Sequence, residues 1–257
     1  MKTKKIGLVG IYFPGAYDAL HENVPEGFEL VDALSPEAYG NLADCEYLIS
    51  RLDIDPDIIN HTPNVKFWQR WGAGFDHVDL KAWGERGIPI ATCPGVNSGI
   101  VAELAIMLML AGYRNLLQIN RQLRAGHWPR TEYFGRSFMI KGKTVGVLGL
   151  GHIGKKVAAL ASAFGANVIY YDIVRQPEQE EQFGYRFVDF DTLLKESDIF
   201  TIHCPLNEET RGMIGAAQFA KMKPTAMLIN TARGPIVDEA ALVDALTTGK
   251  IATAGLD

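Results

Sequence analysis

The sequence has few cysteines, no surplus of basic residues and no apolar run as long as a membrane span. Its three cysteines lie far apart and form no Cys-x-x-Cys pair, which argues against a disulfide framework or a structural zinc site and fits a reducing compartment. The formal net charge is −5, so nucleic acid and anionic membranes are poor candidate partners. The most apolar stretch, 100–112, is shorter than the ~20 residues of a membrane helix. We expect no membrane segment, no metal site and a cytoplasmic location.

Hydrophobic residues are plentiful by contrast: they make up 47% of the 257 residues, and charged residues make up 21%. Short apolar runs alternate with helical patterns, which predicts α/β units whose parallel sheets are covered on both faces. Two such blocks flank a long helical stretch at 98–124, so we place a domain boundary near residue 100. Pro14 and Gly15 are expected to form a turn after the first strand. The predicted strands lie near 5–10, 28–33, 46–50, 66–70, 88–91, 143–148, 167–171, 198–202, 226–230 and 251–255.

A Gly-x-Gly-x-x-Gly turn lies between a predicted strand and a predicted helix. Gly149 would permit the tight turn, Gly151 would let a pyrophosphate approach the backbone, and Gly154 would let the helix pack close to the strand. The helix N-terminus would then hold the phosphates. Asp172 follows Gly154 by 18 residues and can accept the ribose hydroxyls while repelling a 2′-phosphate. The pattern therefore predicts a Rossmann unit that prefers NAD to NADP.

Three further segments, 72–110, 193–215 and 222–246, extend this pattern. Together with the glycine-rich turn they resemble the D-isomer-specific 2-hydroxyacid dehydrogenases. That family includes D-lactate, glyoxylate/hydroxypyruvate and phosphoglycerate dehydrogenases and a corepressor branch. The resemblance is strong over 66–257 and faint over 1–65.

The resemblance implies an α/β fold of two doubly wound parallel-sheet domains. A flavodoxin-like substrate-binding domain would span 1–99, and an NAD-binding Rossmann domain, incomplete at its C-terminal end, would span 100–257. The cofactor would be NAD and the substrate a small 2-keto or 2-hydroxy acid. Arg233 matches the family's catalytic arginine and follows a predicted strand, at the edge where open α/β sheets bind ligands. Its planar guanidinium can bind a carboxylate and a carbonyl together.

Further binding residues follow from the same resemblance. Gly72, Ala73 and Gly74 match the loop whose backbone amides hold the substrate carboxylate. Arg51 matches a second substrate loop less clearly and is equally compatible with an ordinary solvated charge. We expect His203 to pack against the cofactor rather than to act as the acid. Besides the three glycines and Asp172, the expected cofactor contacts are His152, Ile153, His203, Pro205, Thr231, Ala232 and Asp257.

The family's general acid is a histidine paired with a glutamate, and both would follow Asp257. None of the six histidines has a matching context, and His77, the nearest to a substrate loop, matches a structural turn. We therefore expect the sequence to be truncated and catalytically incomplete as given. Three functions stay open at this point: a dehydrogenase, an NAD(H)-sensing protein of the corepressor type, and an inactive NAD-binding fragment.

The segment 100–112 is apolar nearly all round, which predicts a helix buried on every side. The resemblance implies that this region takes part in interdomain packing and in contact with a second subunit. We therefore expect a homodimer.

Overall fold

The computed structural model describes residues 3–52, 54–76 and 78–257. The chain divides into two compact units, Met1–Val96 and Asn97–Asp257. Each unit is built on its own parallel sheet. The assignment of substrate binding to 1–99 and the expected incompleteness of 100–257 stay predictions.

The first unit has a five-stranded sheet with helical segments between its strands. Its strands are β1 (Lys4–Gly10), β2 (Phe28–Ala33), β3 (Tyr47–Arg51), β4 (Phe67–Arg70) and β5 (Ile90–Ala91). Its helices are α1 (Pro14–Glu22) and α2 (Leu80–Glu85), with 3-10 helices at Pro36–Asp44 and Pro56–His61. The strands are all parallel, in the order β2-β1-β3-β4-β5, which is the flavodoxin-like order.

The start of α1 corrects one expectation. Pro14 and Gly15 form no separate turn, because Pro14 is the first residue of the helix. Proline suits that position, since the N–H that it lacks would have no helical acceptor there. The core of this unit includes Leu48 and Trp68, and the Trp68 indole N–H donates to Ser50 Oγ at 2.7 Å.

The second unit has a six-stranded sheet. Its strands are β6 (Thr144–Leu148), β7 (Asn167–Tyr171), β8 (Arg186–Phe187), β9 (Ile199–Ile202), β10 (Met227–Asn230) and β11 (Thr253–Leu256). Its helices are α3 (Ser98–Tyr113), α4 (Leu116–Arg124), α5 (His152–Ala163), α6 (Pro177–Phe183), α7 (Phe190–Glu196), α8 (Ala216–Phe219) and α9 (Glu239–Thr247), with a 3-10 turn at Gly234–Ile236.

All six strands of this sheet are parallel, in the order β11-β10-β9-β6-β7-β8. Counted from β6, this is the strand order of Rossmann domains, in which ligands bind where the order reverses. That point lies between β6 and β9. The expected fold of two doubly wound parallel-sheet domains is confirmed.

The helical stretch at 98–124 differs from the prediction in two ways. It is two helices, α3 and α4, which meet at a bend of 61° where Asn115 has a φ of +51°. Nor is α3 buried on every side: it packs on α5, β10 and β11, whereas Ile100 and Met107 are 74% and 54% exposed. An all-apolar pattern cannot say which face meets the core. In the described part of the chain no single helix is long and apolar enough to span a membrane, although the bent pair passes on length and composition.

Candidate functional site

The glycine-rich turn joins β6 to α5 at the carboxyl end of β6. Gly149 has a φ of +92°, and a Cβ there would lie 2.7 Å from the backbone nitrogen of Cys204. A Cβ at Gly154 would lie 2.0 Å from the carbonyl oxygen of Gly149. Both contacts are with backbone atoms, so neither position accepts a side chain without displacing the turn.

Gly151 differs from its two neighbours in the motif because it faces open space. A Cβ at Gly151 would meet no heavy atom within 4 Å. Gly151 is the N-cap residue of α5, so the unbonded N–H groups of the first helical turn lie beside this space. His152 is exposed and Ile153 is half-buried. The turn therefore has room and hydrogen-bond donors for an anionic group such as a phosphate.

Asp172 is held beside this turn by two backbone hydrogen bonds. Its Oδ2 accepts the N–H of Leu150 at 2.6 Å, and its Oδ1 accepts the N–H of Val174 at 3.2 Å. Asp172 directly follows β7, the neighbour of β6 in the sheet. Each carboxylate oxygen keeps further acceptor capacity, which is what binding to ribose hydroxyls would require.

The segment after β9 places an imidazole at the same edge of the sheet. His203 Nε2 and Thr201 Oγ1 are 2.8 Å apart, and burial lowers the pKa of His203 to about 3. The ring is therefore neutral near pH 7 and cannot act as a cationic acid. Burial also raises the pKa of the neighbouring Cys204 thiol to about 11, which makes it a poor nucleophile. Pro205 is exposed.

The turn after β10 carries Arg233 and is shaped by a residue that the sequence analysis missed. Asn230 Oδ1 accepts the N–H of Ala232 at 3.0 Å, and Asn230 Nδ2 donates to the carbonyl oxygen of Arg233 at 2.9 Å. Arg233 Nη1 donates to the carbonyl of Ala232 at 2.8 Å. The available signal was an asparagine at the end of an otherwise apolar strand, Met227–Asn230.

Two buried polar atoms near these strand ends have no hydrogen-bond partner among the described residues: His203 Nδ1 and Thr231 Oγ1. Unpaired buried polar atoms are rare and ask for an explanation. They follow β9 and β10, which are neighbours in the sheet. A bound molecule with polar groups would satisfy them, as a dinucleotide would.

The sheet order brings most of the predicted residues to one edge. The strands β7, β6, β9, β10 and β11 are successive neighbours, and Asp172, Gly149, His203, Arg233 and Asp257 lie just beyond their carboxyl ends. Asp257 donates its backbone N–H to the carbonyl of Asn230 at 3.0 Å. This edge combines glycine-lined space, a carboxylate, a neutral imidazole and a guanidinium.

The predicted substrate-loop residues lie in the first unit, again at or just beyond the carboxyl ends of adjacent strands. Arg51 is the last residue of β3; its guanidinium carbon lies 3.8 Å from the ring centroid of Phe13, and its Nη1 donates to the carbonyl of Ile11 at 3.4 Å. The loop of Gly72, Ala73 and Gly74 follows β4 and is half-buried. His77, the histidine nearest to this loop in the sequence, lies outside the described residues.

Arg70 is a second residue that the sequence analysis missed. It ends β4 and is only 8% exposed. Its Nε donates to the carbonyl of Gly74 and its Nη1 to the carbonyl of Leu52, both at 2.7 Å. Arg70 therefore joins the loop after β3 to the loop after β4. The available sequence signal was a charged residue at the end of a short strand, Phe67–Arg70.

Replacing Arg70 with methionine should lower the free energy of unfolding by about 1–3 kcal/mol, because two loop carbonyls lose a buried cationic donor. Arg86→Met is the matched control: Arg86 also donates to two carbonyls, of Ile59 and Thr62, but is exposed, so water can replace it. Urea unfolding of the two variants measures the difference. Equal losses would show that the burial of Arg70 has no energetic consequence.

Comparison with known proteins places the chain in a family. The sequence model described as "D-isomer specific 2-hydroxyacid dehydrogenase, NAD binding domain" matches residues 106–257. The chain belongs to the D-isomer specific 2-hydroxyacid dehydrogenases. NAD is thus the cofactor of the second unit, and the glycine-lined turn, the held carboxylate and the two unpaired buried atoms fit it. The resemblance inferred from the motifs is confirmed.

Individual relatives carry related names. The chain is 44% identical over 208 residues to a D-3-phosphoglycerate dehydrogenase of Archaeoglobus fulgidus and 42% identical over 209 residues to a glyoxylate reductase of Thermococcus litoralis. These matches cover 81% and 79% of this chain but only 39% and 63% of those proteins. The holo form of Rhodotorula graminis D-mandelate dehydrogenase superposes with a TM-score of 0.90 at 31% identity, covering 100% of this chain and 81% of that one.

Proposed function

We propose that this dehydrogenase interconverts a small 2-keto acid and the corresponding D-2-hydroxy acid with NAD(H). The observation that carries the proposal is the position of Arg233 at the cofactor edge of the second sheet, one strand from His203 and two from the glycine-rich turn. The names of its relatives support an enzyme over the sensor or the inert fragment.

NAD(H), when bound, supplies or accepts the hydride at the 2-carbon of the acid. Arg233 would bind the substrate carboxylate and polarise the keto oxygen, and its positive charge would stabilise the oxygen as negative charge develops there. Asn230 would hold the backbone of the Arg233 turn in place through its two hydrogen bonds. Asp172 would hold the adenosine ribose. Arg51 and the loop 72–74 are proposed as substrate-binding residues of the first unit, with 1–99 as the substrate-binding domain.

The proton for the new hydroxyl needs a separate donor, and the described histidines are poorly suited to it. His203 is neutral and half-buried, and His152 is exposed at the start of α5. Three others lie away from the carboxyl ends of the strands, namely His21 in α1, His61 in the 3-10 helix Pro56–His61 and His127 after α4. We therefore propose that the described residues by themselves lack the general acid.

We also propose that the enzyme is a cytoplasmic homodimer. An apolar groove of about 460 Å³ lies beside α3, lined in part by Ile106, Met107 and Leu110, and the side chain of Ile100 is exposed. Both features support the dimer. Contiguous exposed apolar surface of this kind is typical of protein–protein contact. Sedimentation equilibrium would measure the mass of the species in solution.

The activity is tested by following NADH oxidation with glyoxylate, hydroxypyruvate and pyruvate, beside an NADH binding titration. The full gene product should reduce at least one of these acids. The 257 residues alone should bind NADH but react about 10²–10⁴-fold more slowly, the usual contribution of a general acid. Tight NADH binding without turnover by the full gene product would support the sensor instead. Ordinary rates from the 257 residues would mean that a histidine present here, His77 first, supplies the proton.

A further inference from the structure

The loop after Asp172 contains a cation three residues beyond the carboxylate expected to bind the ribose. Arg175 lies three residues beyond Asp172 and forms a two-pronged ion pair with Glu180 on α6. Its Nε donates to Glu180 Oε1 and its Nη2 donates to Glu180 Oε2, both at 2.8 Å. This bidentate geometry is the strongest arrangement of an arginine and a carboxylate. It uses both carboxylate oxygens of Glu180 and one edge of the guanidinium.

Glu180 is itself anchored to the sheet. The hydroxyl of Tyr170, a fully buried residue of β7, donates to Glu180 Oε1 at 2.9 Å and accepts the N–H of Gln176 at 2.7 Å. Glu180 keeps 18% of its side-chain surface exposed, against 61% for Arg175. The carboxylate is therefore the fixed partner, and the arginine is the part of the pair that could move.

The charge of the pair is stable across ordinary conditions. The hydrogen bonds from Arg175 lower the pKa of Glu180 to about 2, and the pair raises the pKa of Arg175. Both groups thus stay ionised near pH 7. The guanidinium also lies over the ring of Phe187, with its central carbon 5.6 Å from the ring centroid, which holds it on the α6 side of the loop.

Arginines near the end of this strand are the usual partners of the NADP 2′-phosphate in Rossmann domains. We propose that Glu180 is a cofactor-specificity residue, because it holds Arg175 in an ion pair and so withholds it from a 2′-phosphate. Exclusion of NADP then has two parts. Asp172 repels the phosphate, and Glu180 occupies the cation that would otherwise attract it. The second part rests on Asp172 facing the adenosine ribose, as in the proposed function.

The test measures binding rather than turnover, by calorimetric titration with NAD⁺ and NADP⁺ and with the fragments 5′-AMP and adenosine 2′,5′-bisphosphate. Asp172→Asn serves as the background, since the amide oxygen can still accept from Leu150 while the charge is lost. Adding Glu180→Gln should tighten NADP⁺ and bisphosphate binding relative to NAD⁺ and 5′-AMP by about tenfold, equivalent to about 1.4 kcal/mol. Adding Arg175→Gln to the variant that carries Asp172→Asn and Glu180→Gln should abolish this gain in NADP⁺ and bisphosphate affinity.

Glu181→Gln in the same background is the matched control, because it removes one negative charge from the same helix at an exposed position. An equal gain from Glu181→Gln, or a gain that survives Arg175→Gln, would reduce the effect to net charge and overturn the proposal.

Should Glu180→Gln not fold, Arg175→Gln in the native background is measured instead. It should leave the NADP⁺/NAD⁺ affinity ratio within about twofold, since the withheld arginine contributes nothing to it. A severalfold weakening of NADP⁺ binding there would show that Arg175 already serves the 2′-phosphate. Loss of NAD⁺ and 5′-AMP binding as well would indicate failure of the cofactor site itself.

Discussion

Replacing Arg233 with lysine is expected to lower kcat/KM for the keto acid by at least ~10²-fold in the full gene product, comparable with removing one oxyanion donor. Lysine keeps the positive charge but loses the planar fork that can bind carboxylate and carbonyl together. The loss should fall on reduction and on keto-acid binding, because the glycine-rich turn, Asp172 and His203 follow other strands of the sheet. Steady-state kinetics with glyoxylate, hydroxypyruvate and pyruvate measure it.

Two controls separate catalysis from folding in that experiment. The NADH dissociation constant and the Tm of Arg233→Lys should stay close to those of the parent protein. Arg211→Lys, at an exposed position of the same unit, should leave kcat/KM unchanged. Near-normal turnover by Arg233→Lys would remove Arg233 from the role of polarising the carbonyl.

Two alanine substitutions in the glycine-rich turn should have different effects on stability. Gly154→Ala places a Cβ 2.0 Å from the carbonyl oxygen of Gly149, so the backbone must move. We expect the free energy of unfolding to fall by about 1–3 kcal/mol, as in other overpacked sites, and NAD⁺ binding to weaken with it. Gly151→Ala meets open space, and its stability should change by less than about 1 kcal/mol.

The same Gly151→Ala variant should nevertheless bind NAD⁺ at least about tenfold more weakly, a penalty of about 1.4 kcal/mol, because its methyl group enters the space proposed for the pyrophosphate. Urea unfolding gives the free energy of unfolding of Gly154→Ala and Gly151→Ala, and NAD⁺ titration gives the dissociation constant of each. Equal destabilisation by the two substitutions would contradict the packing of the turn. Unchanged NAD⁺ affinity in Gly151→Ala would move the pyrophosphate away from this glycine.

Much of the second unit could be predicted from the sequence because its information is local. The strand, the glycine-rich turn, the helix and Asp172 lie within about thirty residues, which is the span of one βαβ unit. Arg233 could be placed at the ligand edge for a similar reason, since it follows a buried strand by only three residues. The periodicity of apolar residues also determined the alternation of strands and helices, and hence the doubly wound class.

Contacts between distant segments could not be predicted in this way. The partners of Arg70 lie at Leu52 and Gly74, and only the parallel pairing of β3 with β4 brings those loops together. The Arg175–Glu180 pair is close in sequence, but the buried Tyr170 hydroxyl that anchors it is a feature of packing. The bend at Asn115 depends on a left-handed backbone conformation that no apolar pattern reports.

The sequence by itself thus determined the fold class and the dinucleotide-binding turn, because turn chemistry and hydrophobic period act over short distances. The family was identified from the resemblance of several motifs. Only the tertiary structure decided that the His203 ring is neutral, that Asn230 shapes the turn of Arg233, and that one face of α3 is exposed. Each of these depends on which atoms are removed from water and on what then remains to bond with them. Burial is a property of the packed chain, and residue order alone does not specify it.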